Sequence, residues 1–333
     1  MVKVPIDRQI LALTDEQLES FVREWIGHKA GYVKAQRFTG PGDMGRDVVG
    51  YLTVQQLEGE WHNYQCKQYG RSLATDVGIA ELGKILYYSY KGEFTAPTKY
   101  YFVAPRGVNR NLKRLIAKPS EFRASILEKW DTYCGTTIVD GPTIPLTAEL
   151  RAFIEAWDFS RVELVMVDEI LTDSAAKPVL QSWFGIDPGP APVGTVPDEI
   201  ELHELPYVGQ LLDAYGEREG SAIDKEAART HAIHGLHLKM QRERFFDADS
   251  FTRFYRDNTM QEEIDILRRD LHHGVAETHK ADYLDSLRRV DAVMTQAANV
   301  QPSGALAKYA RVPVKQGICH HFANEGVLKW RKE

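Results

Sequence analysis

Between residues 185 and 199 the chain reads GIDPGPAPVGTVPDE, with four prolines and three glycines. Each proline removes a backbone donor and each glycine loosens the backbone, so no helix or strand ladder runs through it. The 333 residues therefore divide into two bodies joined by a linker, a length ample for two domains. The apolar pattern changes there too. Ahead of it, periods of two and of three to four residues alternate; behind it only the helical period persists.

In the first body, residues 1–184, the pattern predicts a helix at about 14–28, strands near 33–37, 47–54 and 61–68, and a helix at about 75–90. A strand over KYYFVAP completes an order α-β-β-β-α-β. The stretch ELRAFIEAWDFSRVELVMVDEIL has a helical period with strand character inside it, and is expected to pack on this core. Beyond the linker, residues 200–333 carry apolar residues at three and four spacing with charged faces, as in QEEIDILRRDLHHGVAETH, and are expected to be mostly helical.

With 43% hydrophobic and 26% charged residues, both bodies can bury a core. No apolar run approaches the roughly 20 residues of a membrane span, and MVKVPIDRQILALTDEQ lacks a signal peptide's order, so a cytoplasmic location is expected. Cys66, Cys134 and Cys319 form no C-x-x-C pair and read as reduced thiols. The net charge of −6 hides an asymmetry: residues 1–125 carry 18 basic and 13 acidic side chains, the remainder 23 and 34. A mildly basic front suits phosphates, and an acidic helical back suits protein contact.

The chemistry concentrates in GDMGRDVVGYLTVQQLEGEWHNYQCKQYG, residues 42–70. Alternate side chains of a strand share a face, so Gln65 and Lys67 project one way and Tyr64, Cys66 and Gln68 the other. Pairing of DVVGYLT with HNYQCKQY across the QQLEGE hairpin sets Asp47 beside Gln65 and Lys67. A carboxylate, a side-chain carbonyl, the Cys66 backbone carbonyl and an ammonium together make a Mg2+ site fit for hydrolysis, with Mn2+ as substitute. A further oxygen is expected from the first helix. Thr14 and Gln17 form a capping box there, and Leu18, Phe21, Val22, Trp25 and Ile26 its apolar face. Glu19 lies roughly 90° from the centre of that face and Glu24 roughly 130°, which favours Glu19. The plain alternative is a hairpin with a turn aspartate and a solvated lysine.

Glu19, the G-R-D ending in Asp47, and Q-x-K at Gln65 and Lys67 resemble the PD-(D/E)xK nuclease superfamily, in particular its Mrr-like restriction-endonuclease branch, over about the first third of the chain. The resemblance implies a restriction-endonuclease-like α/β core. Asp47 and Gln65 would hold the metal with the Cys66 carbonyl, Lys67 would assist the attacking water, and Glu19 would complete the site. Arg46 stands where the superfamily name has proline, and Gln65 where it has a second acid. Lys29, Lys34, Arg37, Arg71, Arg110, Lys113 and Arg114 are candidates for DNA phosphate contacts, Arg71 foremost because it follows the catalytic strand.

Histidines punctuate the helical body: His231, His234 and His237, then His272 and His273, then His320 and His321 after Cys319. Imidazole and thiolate suit zinc, although the spacing matches no zinc module, and packed or solvated helical histidines are the commoner outcome. LPYVGQLLDAYGEREG and QGICHHFANEGVLKW resemble the C-terminal domain of bacterial ABC three-component defence systems, of which Lamassu is the best-known relative. This implies partnership with an SMC-like or ABC-type ATPase and a small third subunit. Together the two resemblances imply a Mg2+-dependent DNA endonuclease effector of anti-phage or anti-plasmid defence, self-associating when activated. The rivals are a non-catalytic DNA-binding scaffold and a housekeeping repair or junction nuclease.

Overall fold

The computed structural model describes residues 4–139 and 141–331. The chain forms two compact units that meet between Phe184 and Gly185. No helix among the described residues is long and apolar enough to cross a membrane.

The first unit runs α1 (Ile6–Ile10), α2 (Asp15–Gly27), β1 (Lys34–Arg37), β2 (Val48–Tyr51), β3 (Trp61–Cys66), α3 (Thr75–Tyr90), β4 (Lys99–Val103), α4 (Arg110–Ala117) and α5 (Pro119–Lys129). A π-turn at Trp130–Cys134 follows, then α6 (Ala148–Ala156), β5 (Val162–Val165), α7 (Val167–Thr172) and α8 (Lys177–Phe184). The strands make one five-stranded sheet in chain order. β1, β2 and β3 are antiparallel, and β4 and β5 add in parallel to β3. The expected α-β-β-β-α-β order is present, with α1 ahead of it. The ambiguous segment resolves into α6, β5 and α7, its strand being the alternating V-E-L-V.

α2 starts as its capping box requires: Gln17 N donates to Thr14 Oγ1, and Thr14 N to Gln17 Oε1. All five residues of its apolar face are buried. It covers β1, β2 and β3, with Trp25 edge-on to Tyr64. The other face of the sheet, bearing Val49, Tyr51, Trp61, Tyr100 and Phe102, forms one core with Leu82, Ile85 and Leu86 of α3 and with Trp130.

The second unit holds α9 (Leu205–Glu219), α10 (Lys225–Thr230), α11 (His234–Arg256), α12 (Gln261–Lys280), α13 (Ser286–Asn299) and α14 (Val312–Asn324). α14 crosses α11 at Gly317, where a Cβ would fall 1.9 Å from the Arg244 carbonyl oxygen; only glycine permits that approach. The Pro/Gly segment is not a free tether. Tyr255 Oη donates to Gly189 O at 2.7 Å and Ser250 Oγ to Pro192 O at 2.9 Å. Arg242 Nη2 donates to the carbonyls of Pro197 and Glu199, at 2.9 and 2.7 Å. Proline-rich backbone lacks donors but keeps its carbonyls, and the helices supply the donors.

Candidate active site

Asp47 sits immediately before β2, at the end of a turn that needs left-handed backbone at Met44 and Gly45. Gly45 backs onto α3: a Cβ there would lie 3.4 Å from Ile85 N and Lys84 Cγ. Asp43 closes the turn by accepting from Gly45 N at 2.8 Å and from Lys84 Nζ at 2.9 Å. Arg46 lies between the rings of Phe38 and Phe94 and donates to Asp43 O at 2.7 Å. It clamps the turn from inside.

The strands are shorter than their sequence pattern predicts. With Val48 opposite Tyr64, Asp47 falls opposite Gln65, and both share the α3 face with Lys67. Asp47 Oδ2 accepts from Gln65 Nε2 and from Cys66 N, both at 2.8 Å. A side chain thus takes the donor that a longer ladder would have used, and the strand ends there. Since the N–H and C=O of one strand residue point to the same side, the Cys66 carbonyl faces this edge too. Its thiol stays in the core, and burial pushes the thiol's pKa well up.

Asp47 is 8% exposed. Burial pushes its carboxyl up to about 7; Glu81 and Glu19 add to this, while Lys67 and the Cys66 N–H oppose it. Lys67 Nζ pairs with Glu81 Oε1 at 2.7 Å. Burial alone would lower the lysine, but the carboxylates of Glu81 and Asp47 outweigh it and hold the ammonium protonated. Glu19 reaches toward this edge from the opposite face of the sheet, and its Oε2 accepts from Arg37 Nε at 2.7 Å. Glu24 accepts from Trp183 Nε1 at 2.7 Å and so ties α2 to α8.

Asp47, Gln65 and Lys67 are therefore together, whereas Glu19 is turned to Arg37. Asp47, Glu19 and Glu81 do not converge within 4.8 Å of one another. The donor set nevertheless fits a hard divalent cation. It is all oxygen, and the buried carboxylate is short of positive charge. Gln65 presents its nitrogen to Asp47 here, so its oxygen serves a cation only after the amide turns over. Glu81 escapes a motif search. The signal is its place at an inward position of α3, three residues after buried Gly78 and four before buried Ile85.

Of the basic candidates, Lys29 pairs with Asp173, Arg37 with Glu19 and Arg114 with Glu121. Lys34 lies over the Tyr51 ring. Arg71, Arg110 and Lys113 are exposed and make no ion pair among the described residues. They gather beyond the carboxyl ends of β3 and β4, where Leu73 bridges Val108 and Thr75 Oγ1 bonds Asn109 Oδ1 at 2.8 Å. Arg71 also lines an open groove of about 500 Å³ with Tyr69, Gly70, Ser72, Ala74 and Val77.

The histidines disperse. His237 bonds Tyr215, His320 bonds Gln241, and the Cys319 thiol is buried against Lys315 O. Among the described residues, the one metal-sized cluster is Glu219, His231 and His234. A metal-binding imidazole donates its other N–H to an acceptor. Here His231 Nδ1 accepts from the backbone of Ile233 and His234, and His234 Nδ1 has no partner. The cluster is instead satisfied by His234 Nε2 bonding Glu219 Oε1 at 2.9 Å.

The chain thus pairs a mixed α/β unit carrying a buried acid-amide-lysine edge with a helical unit. Residues 204–330 match the family model for C-terminal domain 6 of the ABC-three component (ABC-3C) systems. The helical unit is a domain of that kind, which makes the chain a component of an ABC three-component defence system. Neither the curated proteins nor the solved structures yield a match.

Proposed function

We propose that the chain is a metal-dependent DNA endonuclease, of PD-(D/E)xK type, acting as the effector of that system. The observation that carries this reading is the shared edge of Asp47, Gln65 and Lys67, with the Asp47 carboxylate bonded to both Gln65 and the Cys66 amide. Asp47, the Cys66 carbonyl and Gln65 would hold Mg2+ or Mn2+, which supplies Lewis acidity at the scissile phosphate when bound. Lys67, kept protonated by its carboxylate neighbours, donates to phosphate oxygens and neutralises the charge that builds there. Arg71, Arg110 and Lys113 stand at the same end of the sheet, where they would receive flanking phosphates.

An uncontrolled nuclease would damage its own chromosome. Control belongs to the helical domain, which docks on the ATPase and small subunit, and to self-association of catalytic units for a double-strand break. The test incubates the full-length protein, alone and with its partner subunits, with supercoiled plasmid and Mg2+. Nicked and linear products that vanish with EDTA are expected. No cleavage under either condition would favour the scaffold alternative.

The two α2 glutamates should separate in the same assay. Glu19→Gln should slow cleavage by about tenfold or more, through loss of a charge near the metal. Glu24→Gln should leave cleavage near wild type and cost about 1 kcal/mol of stability, from the weakened bond to Trp183. A reversed ranking in a Mg2+ titration would transfer the role to Glu24.

A further inference from the structure

We infer that Glu81 is the second carboxylate of the metal site, supplying from α3 the negative charge that Gln65 does not. This rests on the metal-site reading above and adds a ligand to it.

Charge accounting raises the need. Divalent-cation affinity follows the number of anionic ligands, and a site with Asp47 and a neutral Gln65 has one. Glu19 is an imperfect second, because it approaches from the α2 side of the sheet and is bonded to Arg37. Glu81 stands on the face that Asp47, Gln65 and Lys67 share. Its carboxylate lies 2.7 Å from Lys67 Nζ, and its side chain is 20% exposed.

Its position is also fixed. Lys84, one turn further along α3, bonds Asp43, and Gly45 packs against Lys84 and Ile85. The same helix therefore sets both Glu81 and the turn that ends in Asp47. In the metal-free protein Lys67 neutralises Glu81, and a cation at Asp47 would compete with the lysine for that carboxylate. The plain alternative is that Glu81 is only a counter-ion for Lys67.

Mn2+ binding to metal-stripped, full-length protein, followed by electron paramagnetic resonance, distinguishes these without any cleavage assay. Wild type should bind Mn2+ and Asp47→Asn should abolish this. Glu81→Gln should weaken binding by about tenfold or more. Adding Gln65→Glu to Glu81→Gln should restore affinity to within a few-fold of wild type, because the charge returns from the strand. Exposed Glu58→Gln should change nothing.

Wild-type affinity in Glu81→Gln overturns the inference while leaving Asp47-dependent binding intact. Weak binding that Gln65→Glu does not rescue reduces Glu81 to a counter-ion and also overturns it. Absence of Asp47-dependent binding in wild type removes the metal-site reading itself. Should Glu81→Gln not fold, the double variant carries the test, and wild-type-like affinity there supports the inference while a tenfold loss overturns it.

Discussion

Asp47→Asn should abolish cleavage, by roughly a thousandfold or more, and at the same time make the metal-free protein more stable at pH 8 than wild type. The reason is the cost of a buried charge. Burial raises the Asp47 carboxyl from 3.8 to about 7 in the folded protein. Between those values the unfolded chain has released the proton and the folded chain still holds it. Stability from this group is therefore complete below about pH 4, falls as pH rises, and is lost above about 7. A gap of that size corresponds to roughly 4 kcal/mol. Asparagine carries no charge, so its contribution stays flat, and its oxygen in the place of Oδ2 can still accept from both Cys66 N and Gln65 Nε2. Denaturant melts of both proteins in EDTA at pH 5, 6, 7 and 8 measure this. The wild type should lose ground to the variant as pH rises, and Mg2+ should recover it for wild type alone. Parallel stability profiles would mean that Asp47 is solvated and no metal carboxylate is poised there. The expected pattern is that of a functional site, in which stability is given up for reactivity.

The parts of this site legible in the sequence are those fixed by local rules. The Thr14–Gln17 box and the buried stripe from Leu18 to Ile26 set α2, and strand parity puts Gln65 and Lys67 on one face. The turn glycines then deliver Asp47 opposite Gln65. What local rules do not carry is the choice of partner across the fold. Glu81 and Lys67 meet because α3 lies over the sheet, and Glu19 takes Arg37 because β1 shows that residue to α2. Arg37 was therefore readable as basic but not as already engaged. The strap over residues 185–199 is a similar case. Its composition marks a break in regular structure, but its carbonyls are bonded by Arg242, Ser250 and Tyr255, residues 43 or more positions away.

That strap leads to the second large effect. Arg242→Met should destabilise the helical unit by about 3–5 kcal/mol, and changing Glu204 with it should recover most of the loss. Glu204 is fully buried, and Arg242 holds it with two bonds, Nε to Oε2 at 2.7 Å and Nη2 to Oε1 at 2.9 Å. Tyr207 Oη adds a third at 3.1 Å. Removing the arginine leaves a buried carboxylate with two neutral donors only, Tyr207 Oη and Glu201 N at 2.9 Å, and also frees the carbonyls of Pro197 and Glu199 that fasten the strap. Arg242→Lys should fall between, since an ammonium keeps the charge but not the planar fork. The pair itself contributes little beyond its own desolvation cost, so the double change to Arg242→Met and Glu204→Leu should stand well above Arg242→Met alone. Hydrogen exchange then separates packing from fastening. In Arg242→Met, amides of residues 194–207 should exchange faster than in wild type. In the double variant those of α9 should be protected again, while the strap, still without its donor, should stay fast. If Arg242→Met lies within about 1 kcal/mol of wild type, or the double variant is no better than the single, the pair is not the buried clamp that its geometry describes.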